Sequence, residues 1–220
     1  MRFNKYIKAS CFILVTIFGL TIGYNGYKFI KSKGNGSKVD TIVMSGRLAD
    51  FSEEDLSAGS SLIVEGKVSS ILPSKWNTID GKEPANITGD DIIYHDVLVD
   101  VNKILKGTLN GDKKSVKVRV FEGEISQSPT IKKVIDNSSP KFIQGEEVLL
   151  FLSPDSSNYN RTKANDHYIV SGKYQGKYTI KDEIAKRSDK SLKITDLYEK
   201  INKHKNDPVP VYFKGISEEK

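Results

Sequence analysis

The chain has 220 residues, of which 37% are hydrophobic and 28% are charged, so it can bury a core and is not a disordered polymer. Its formal net charge is +6, but residues 1–38 hold seven basic residues and no acid, which leaves 27 basic and 28 acidic residues in the rest of the chain. This near-neutral body lacks the concentrated basic face that polyanion binding needs, and the sequence therefore predicts no nucleic-acid partner. The only cysteine, Cys11, excludes an intrachain disulfide and a thiolate metal cluster.

The N-terminus has the pattern of an export segment. An uncharged apolar run at 9–23 follows three basic residues, Arg2, Lys5 and Lys8. No Ala-x-Ala cleavage site follows the run, which reaches the length of a membrane span if it extends to residue 30. We therefore predict an N-terminal membrane helix at 1–30, with the body outside the cell. A cleaved signal peptide, which would give a secreted protein, and a buried core helix are the alternatives.

Residues 31–50 read as a linker, because they contain the run Gly-Asn-Gly-Ser at 34–37. A short strand is predicted within it at 41–48. Ser52 is followed by three acidic residues, which is typical of a capped helix start, and Gly59 limits the helix to a few turns or less.

Period-two alternation then predicts β-strands at 62–68, 93–102 and 116–120. Gly66, on the inward side of the first strand, indicates a bulge or bend. The second alternation puts Asp96 and Asp100 on a solvated outer face. A turn is predicted at Asn110 and Gly111.

The second half of the chain is predicted to begin with a long irregular excursion at 122–142. The continuous apolar run at 148–152 predicts a strand buried on both faces. Residues 168–170 and 174–180 are predicted to form a final hairpin. A helix is predicted to begin at Thr195, with Leu197, Tyr198 and Ile201 on one face.

These elements predict a mainly β fold, a small five- to six-stranded OB-like barrel at 51–186 with short flanking helices. Residues 187–220 are predicted to hold a C-terminal helix and tail. Four segments resemble the strands and turns of netrin-like domains, the OB fold of the tissue inhibitors of metalloproteinases: 60–68, 95–107, 145–152 and 168–178. Many uncharacterised secreted proteins of Gram-positive bacteria look similar. The resemblance implies the barrel but not metalloproteinase inhibition, because those inhibitors use a free N-terminal cysteine that this body lacks.

The motifs of common catalytic and metal sites are missing from the sequence. Its three histidines, His95, His167 and His204, form no His-x-x-x-His pair, and neither Gly-x-Ser-x-Gly nor a phosphate-binding loop occurs. We therefore predict no catalytic residue, no metal ligand and no cofactor. Exposed aromatic and polar side chains are the best candidates for a binding surface. These candidates are Trp76, Tyr94, Tyr174, Gln175 and Tyr178.

The sequence thus favours a membrane-anchored extracytoplasmic binding module without catalytic activity. Its expected partner is an envelope protein, a peptide or a wall polymer. One alternative is an inhibitor or immunity-type protector that acts on an extracellular protease or toxin. A second alternative is single-strand nucleic-acid binding, which OB folds support elsewhere but which the near-neutral body disfavours.

Overall fold

The computed structural model describes residues 38–44, 48–109, 114–127 and 130–210. The predicted membrane helix at 1–30, residues 31–37 and 45–47 of the predicted linker, and the turn predicted at Asn110 and Gly111 lie outside the described residues. Apart from Lys38 and Thr130, the described residues belong to one unit, made of Val39–Gln127 and Ile131–Lys220. No helix in this described part is long and apolar enough to cross a membrane.

Two α-helices occur in the described residues. Helix α1 (Glu53–Gly59) begins at Ser52, whose Oγ accepts a hydrogen bond from the Asp55 amide at 3.1 Å. The Asp55 carboxylate in turn accepts one from the Ser52 amide at 3.1 Å, so the predicted capping box is confirmed. Helix α2 (Ile194–His204) begins one residue before the predicted start and buries Leu197 and Ile201.

Strands are the main regular structure in the described chain and hold far more residues than the helices. The strands are β1 (Lys38–Met44), β2 (Leu62–Ile71), β3 (Lys75–Trp76), β4 (Ile93–Lys106), β5 (Ser115–Val120), β6 (Gly123–Gln127), β7 (Thr130–Asp136), β8 (Glu147–Pro154), β9 (Tyr168–Val170), β10 (Lys177–Lys181), β11 (Ile184–Lys186) and β12 (Ser191–Lys193).

Five strands close into a barrel. Strand β2 pairs antiparallel with β4 and β8, and β4 pairs antiparallel with β5. The barrel closes where β9 pairs in parallel with β5 and antiparallel with β8. Strands β10, β11 and β12 continue the sheet outward from β8. The prediction of a mainly β fold with a five-stranded barrel is therefore confirmed.

Strand β8 carries both main cores. Val148, Leu150 and Leu152 point into the barrel, where they pack against aliphatic side chains of the other barrel strands. Leu149 and Phe151 point the other way and pack beneath the two helices with residues such as Leu56, Tyr178, Leu197 and Ile201. The prediction that this apolar run is buried on both faces is confirmed. Each such side chain removed from water stabilises the fold by about 1.5–3 kcal/mol.

The predicted irregular excursion at 122–142 is wrong. Strands β6 and β7 lie within it and form a three-stranded sheet with β1, in the order β1-β7-β6. Val134 of β7 packs with Trp76, Ile92 and Ile93 in a third core. The sequence of β7 does not alternate between apolar and polar residues, because Lys132 and Lys133 are adjacent. One of these lysines necessarily lies on the face that carries Val134.

The predicted final hairpin is also wrong. Strands β9 and β10 do not pair with each other; both run antiparallel to β8 along the same edge, opposite β8 residues 152–154 and 147–150. A 3₁₀ helix, Lys173–Gly176, separates them. Ser171 and Gly172 therefore interrupt one edge of the sheet and are not a reversal of the chain. The hairpins in this region are β10 with β11 and β11 with β12, and the second one ends beyond the predicted barrel segment.

Gly66 lies at an irregularity in the barrel, as predicted. The register of β2 against β4 shifts between Glu65 and Gly66. A Cβ atom at Gly66 would lie 2.3 Å from the carbonyl oxygen of Asp100 on the neighbouring strand. The absent side chain thus allows β2 to bend and pair with both β4 and β8.

We expect Gly66→Ala to lower the free energy of unfolding by about 1–3 kcal/mol, because a main-chain oxygen must move to admit the methyl group. Gly89→Ala is the matched control, since no atom lies within 4 Å of a Cβ added there. Urea unfolding followed by the fluorescence of Trp76, the only tryptophan, measures both variants. Equal stabilities of the two variants would contradict the close approach of Gly66 to the main chain of Asp100.

Candidate functional site

A polar cleft of about 260 Å³ opens beside the end of the barrel where β4 begins. One wall is the loop 77–81, which follows β3, and the other is the segment 159–166 of the loop between β8 and β9. Tyr94 and Arg119 form its floor, and Lys75 stands beside Tyr94. Strand pairing decides this arrangement, because Lys75 lies opposite Tyr94 in the β3–β4 ladder.

The floor is held by a buried ion pair. Arg119 Nε lies 2.8 Å from Asp96 Oδ1, and Nη2 lies 3.0 Å from Asp96 Oδ2, which is a bidentate contact. The two residues are direct partners in the β4–β5 register. The guanidinium carbon lies 3.9 Å from the centroid of the Tyr94 ring, a cation–π contact. Burial lowers the pKa of Arg119, but Asp96 raises it more, so the group keeps its charge.

The prediction that Asp96 lies on a solvated face is therefore wrong, since its side chain is 4% exposed. The predicted alternation of side chains along β4 is correct, but its second face is not exposed to water at Asp96. Arg119 covers it from β5. Asp100, further along the same strand, is exposed as predicted.

Asn77 joins the two walls of the cleft. Its Nδ2 donates to the carbonyl oxygens of Asp90, at 2.8 Å, and Tyr159, at 3.1 Å. Its Oδ1 accepts from the amide of Ile92 at 3.0 Å. A buried amide that satisfies three main-chain groups fixes the loop 77–81 against the loop 155–166.

Arg161 lies on the outer part of the wall and is anchored by a buried carboxylate. Its Nη2 lies 2.8 Å from Asp91 Oδ1, although that oxygen accepts no aligned hydrogen bond. Asp91 Oδ2 accepts from the amide and the hydroxyl of Thr88, each at 2.7 Å. Burial raises the pKa of Asp91, but the hydrogen bonds from Thr88 and the charge of Arg161 lower it more. The net result is a pKa below the ordinary value of an aspartate. Asp91 is therefore ionised and orients the guanidinium toward the cleft wall.

A histidine bound between two carboxylates ties down both ends of the loop 155–166. The His167 Nε2 lies 2.9 Å from Asp155 Oδ2, and Nδ1 lies 2.9 Å from Asp166 Oδ1. Asp155 also accepts from the Ser157 hydroxyl at 2.6 Å, and Asp166 pairs with Lys117 at 2.7 Å. Both ring nitrogens of His167 contact carboxylates, and Ser157 contacts Asp155 and not the imidazole. Neither ring nitrogen is therefore free to activate a serine. This group of side chains works as a clamp on the loop and not as a nucleophilic triad.

The five predicted surface residues do not come together. Trp76 is 1% exposed in the third core, and Tyr178 is fully buried with its hydroxyl 2.5 Å from Glu53. Gln175 is buried and bridges the main chain, because Oε1 accepts from the Phe51 amide and Nε2 donates to the Ala49 carbonyl. The prediction that these three side chains are exposed is wrong.

Tyr174 is half-buried, and its amide donates to the Ser138 carbonyl. Tyr94 alone of the five lines the cleft, and it is a mostly buried part of the floor. Sequence reasoning missed Lys75, Asn77, Arg119 and Arg161. Arg119 carried the only usable signal, because it lies on the polar face of the alternating strand 116–120, where an opposite charge directly across the ladder is a favourable partner.

In the parts of the chain that the structure describes, no three side chains of His, Cys, Asp or Glu lie together so that they could hold a metal ion. No protein-family model matches the chain, and no curated protein matches its sequence. The resemblance to netrin-like domains therefore stays a prediction.

The acid response of the His167 clamp gives a test. Burial raises the pKa of Asp155, but the hydrogen bonds from His167 and Ser157 lower it more, and contacts with His167 and Lys117 lower the pKa of Asp166. The pKa values of both carboxyl groups are lower in the folded state than in the unfolded chain. Both carboxylates therefore stabilise the fold above about pH 4. This contribution is lost as the pH falls through the folded-state pKa values.

We expect His167→Gln to lower the free energy of unfolding at neutral pH by about 3–5 kcal/mol, because Asp155 stays buried without its partner. The variant should also lose less stability than the wild type when the pH falls from about 5 to about 3. His204→Gln is the control, since His204 pairs with the exposed Asp207 at the surface and contributes about 1 kcal/mol or less. Urea titrations at several pH values measure all three proteins. Parallel pH profiles for His167→Gln and the wild type would refute the clamp.

Proposed function

We propose that this chain is a membrane-anchored extracytoplasmic binding module without catalytic activity, and that its ligand occupies the cleft between the loops 77–81 and 155–166. The observation that carries the proposal is the cleft itself. Its cationic side chains, Arg119 and Arg161, are already fixed by the buried carboxylates Asp96 and Asp91. A site whose groups are oriented before binding loses little conformational entropy when the ligand arrives.

The loops that form the cleft are also rigidly connected to the barrel. Asn77 holds one wall to the other, and His167 holds the loop 155–166 at its two ends. Loops fixed on a rigid sheet are the usual carriers of binding sites. The five-stranded closure with a parallel β5–β9 pair supports the finer assignment of an OB-like barrel, a fold that binds ligands through its loops.

Location is the second part of the proposal. The basic residues and the apolar run at 1–30 support an anchor in the cell membrane, and the near-neutral body suits a folded part outside it. An envelope protein, a peptide or a wall polymer is the partner class that this location brings within reach. A cleaved segment would give the same body as a secreted protein.

Filling the cleft tests the binding role. We expect Ala164→Trp, which places an indole in the half-buried wall, to weaken binding of the full chain to isolated wall polymer or envelope peptides at least tenfold. Ser156→Trp is the matched control, because Ser156 lies exposed in the same loop and does not line the cleft. Titration calorimetry on detergent-solubilised full chain measures the affinities. Equal affinities of the two variants, or no binding by the wild type, would contradict the proposal, and inhibition of a secreted protease would favour the inhibitor alternative.

Protease accessibility tests the location. We expect a tag at the C-terminus to be digested by protease added to intact cells, because the body is proposed to lie outside the membrane. A cytoplasmic protein in the same cells is the control and should stay intact. A tag that is digested only after lysis would place the body inside and would remove wall polymers from the possible partners.

A further inference from the structure

The cleft has more hydrogen-bond donors than the protein itself uses. Asp96 occupies Nε and Nη2 of Arg119, and within the described residues no acceptor contacts Nη1. Arg161 uses Nη2 for Asp91 and Thr88, and among the residues that the structure describes no acceptor contacts its Nε or Nη1. Lys75 Nζ makes no hydrogen bond or ion pair in the described part of the chain and lies 5.4 Å from the centroid of the Tyr94 ring.

The carboxylates that line the same cleft are already satisfied. Asp166 accepts from His167 on Oδ1 and from Lys117 on Oδ2. Asp80, which is exposed, accepts from the Thr78 hydroxyl and the Lys82 amide, both at 3.1 Å. Three cations and two carboxylates therefore line the cleft, and the groups that lack partners are cationic donors.

We propose that the cleft binds one oxyanion, a phosphate monoester or a carboxylate, carried by a small polar molecule or by the end group of a polymer. This inference rests on the proposed binding function and names the chemistry of its ligand. Guanidinium groups match the paired oxygens of these anions, and each charge-assisted hydrogen bond is stronger than a neutral one. Arg119 lines the cleft and is only 9% exposed, so water competes less for a donor that it offers there.

The size and charge of the cleft limit the ligand. About 260 Å³ is below the usual range of pockets for drug-sized ligands, so the cleft admits a group of a few heavy atoms beyond the anion. Asp80 and Asp166 repel a ligand that carries several adjacent negative charges. The cleft therefore favours a single anionic group over a polyphosphate chain.

The test uses the full chain in detergent and four probes: inorganic phosphate, glycerol 3-phosphate, acetate and glycerol. We expect the anions, but not glycerol, to bind and to raise the unfolding temperature. Lys75→Gln should weaken the binding of glycerol 3-phosphate by about fivefold to tenfold, because it removes a cation that lines the cleft and forms no ion pair with the described residues. Lys181→Gln is the matched control, an exposed lysine on β10 outside the cleft, and should change the affinity by less than about twofold.

The four probes also separate the outcomes. Stronger binding of acetate than of the phosphates identifies a carboxylate ligand, and the reverse identifies a phosphate ester. Equal losses of affinity for glycerol 3-phosphate in Lys75→Gln and Lys181→Gln would overturn the proposed oxyanion site. Binding of glycerol as tight as that of the anions would also overturn it. If Ala164→Trp abolishes binding of an envelope ligand that no anion displaces, the oxyanion inference fails and the binding function stands. If neither the anions nor any envelope fraction binds, both fail.

Discussion

The barrel closes through a parallel pairing between β5 and β9, in which Val118 lies opposite Tyr168, and this closure determines where the cleft can form. Strand β9 must also pair with β8, so the loop 155–166 that joins β8 to β9 has to cross the end of the barrel. That crossing brings Tyr159, Arg161 and Asp166 over Tyr94 and Arg119, which lie on β4 and β5.

Burial of charge is the second constraint, and it explains why the cleft is rigid. Two carboxylates, Asp96 and Asp91, are nearly inaccessible to water and each faces an arginine of the cleft. An isolated buried charge is costly, so each arginine is held where its carboxylate requires it. In the bidentate geometry at Asp96, the Arg119 guanidinium also stacks on Tyr94, and its Nη1 contacts no acceptor among the described residues. The same ion pairs that stabilise the fold therefore also orient the donors of the proposed site.

The helices and the strand pair β11–β12 serve a different part of the molecule. They cover the outer face of β8 through Leu56, Leu197 and Ile201, and the Tyr178 hydroxyl reaches Glu53 beneath them. Burial raises the pKa of Glu53, but hydrogen bonds from Lys190 and Tyr178 lower it to about 2, so the carboxylate stays ionised in this core. This region holds the fold together, while the opposite end of the barrel strands carries the cleft. Tyr178 and Gln175 look like surface aromatic and polar residues in the sequence, but they belong to this structural region.

The sequence by itself determined the elements whose signals are local. The capping box at Ser52, the bend at Gly66, the doubly buried run of β8 and the face of α2 each depend on neighbours within a few residues along the chain, and each is present as predicted. Only the tertiary structure decided the places of β7, β9 and β10. The alternation of β7 is broken by adjacent lysines, and nothing in the short runs of β9 and β10 indicates that both pair with the same edge of β8. The tertiary structure also decided the cleft. Whether Asp96 faces water or Arg119, and whether Trp76 is a contact residue or a core residue, depends on which strand lies alongside, and no periodicity within a single strand contains that information.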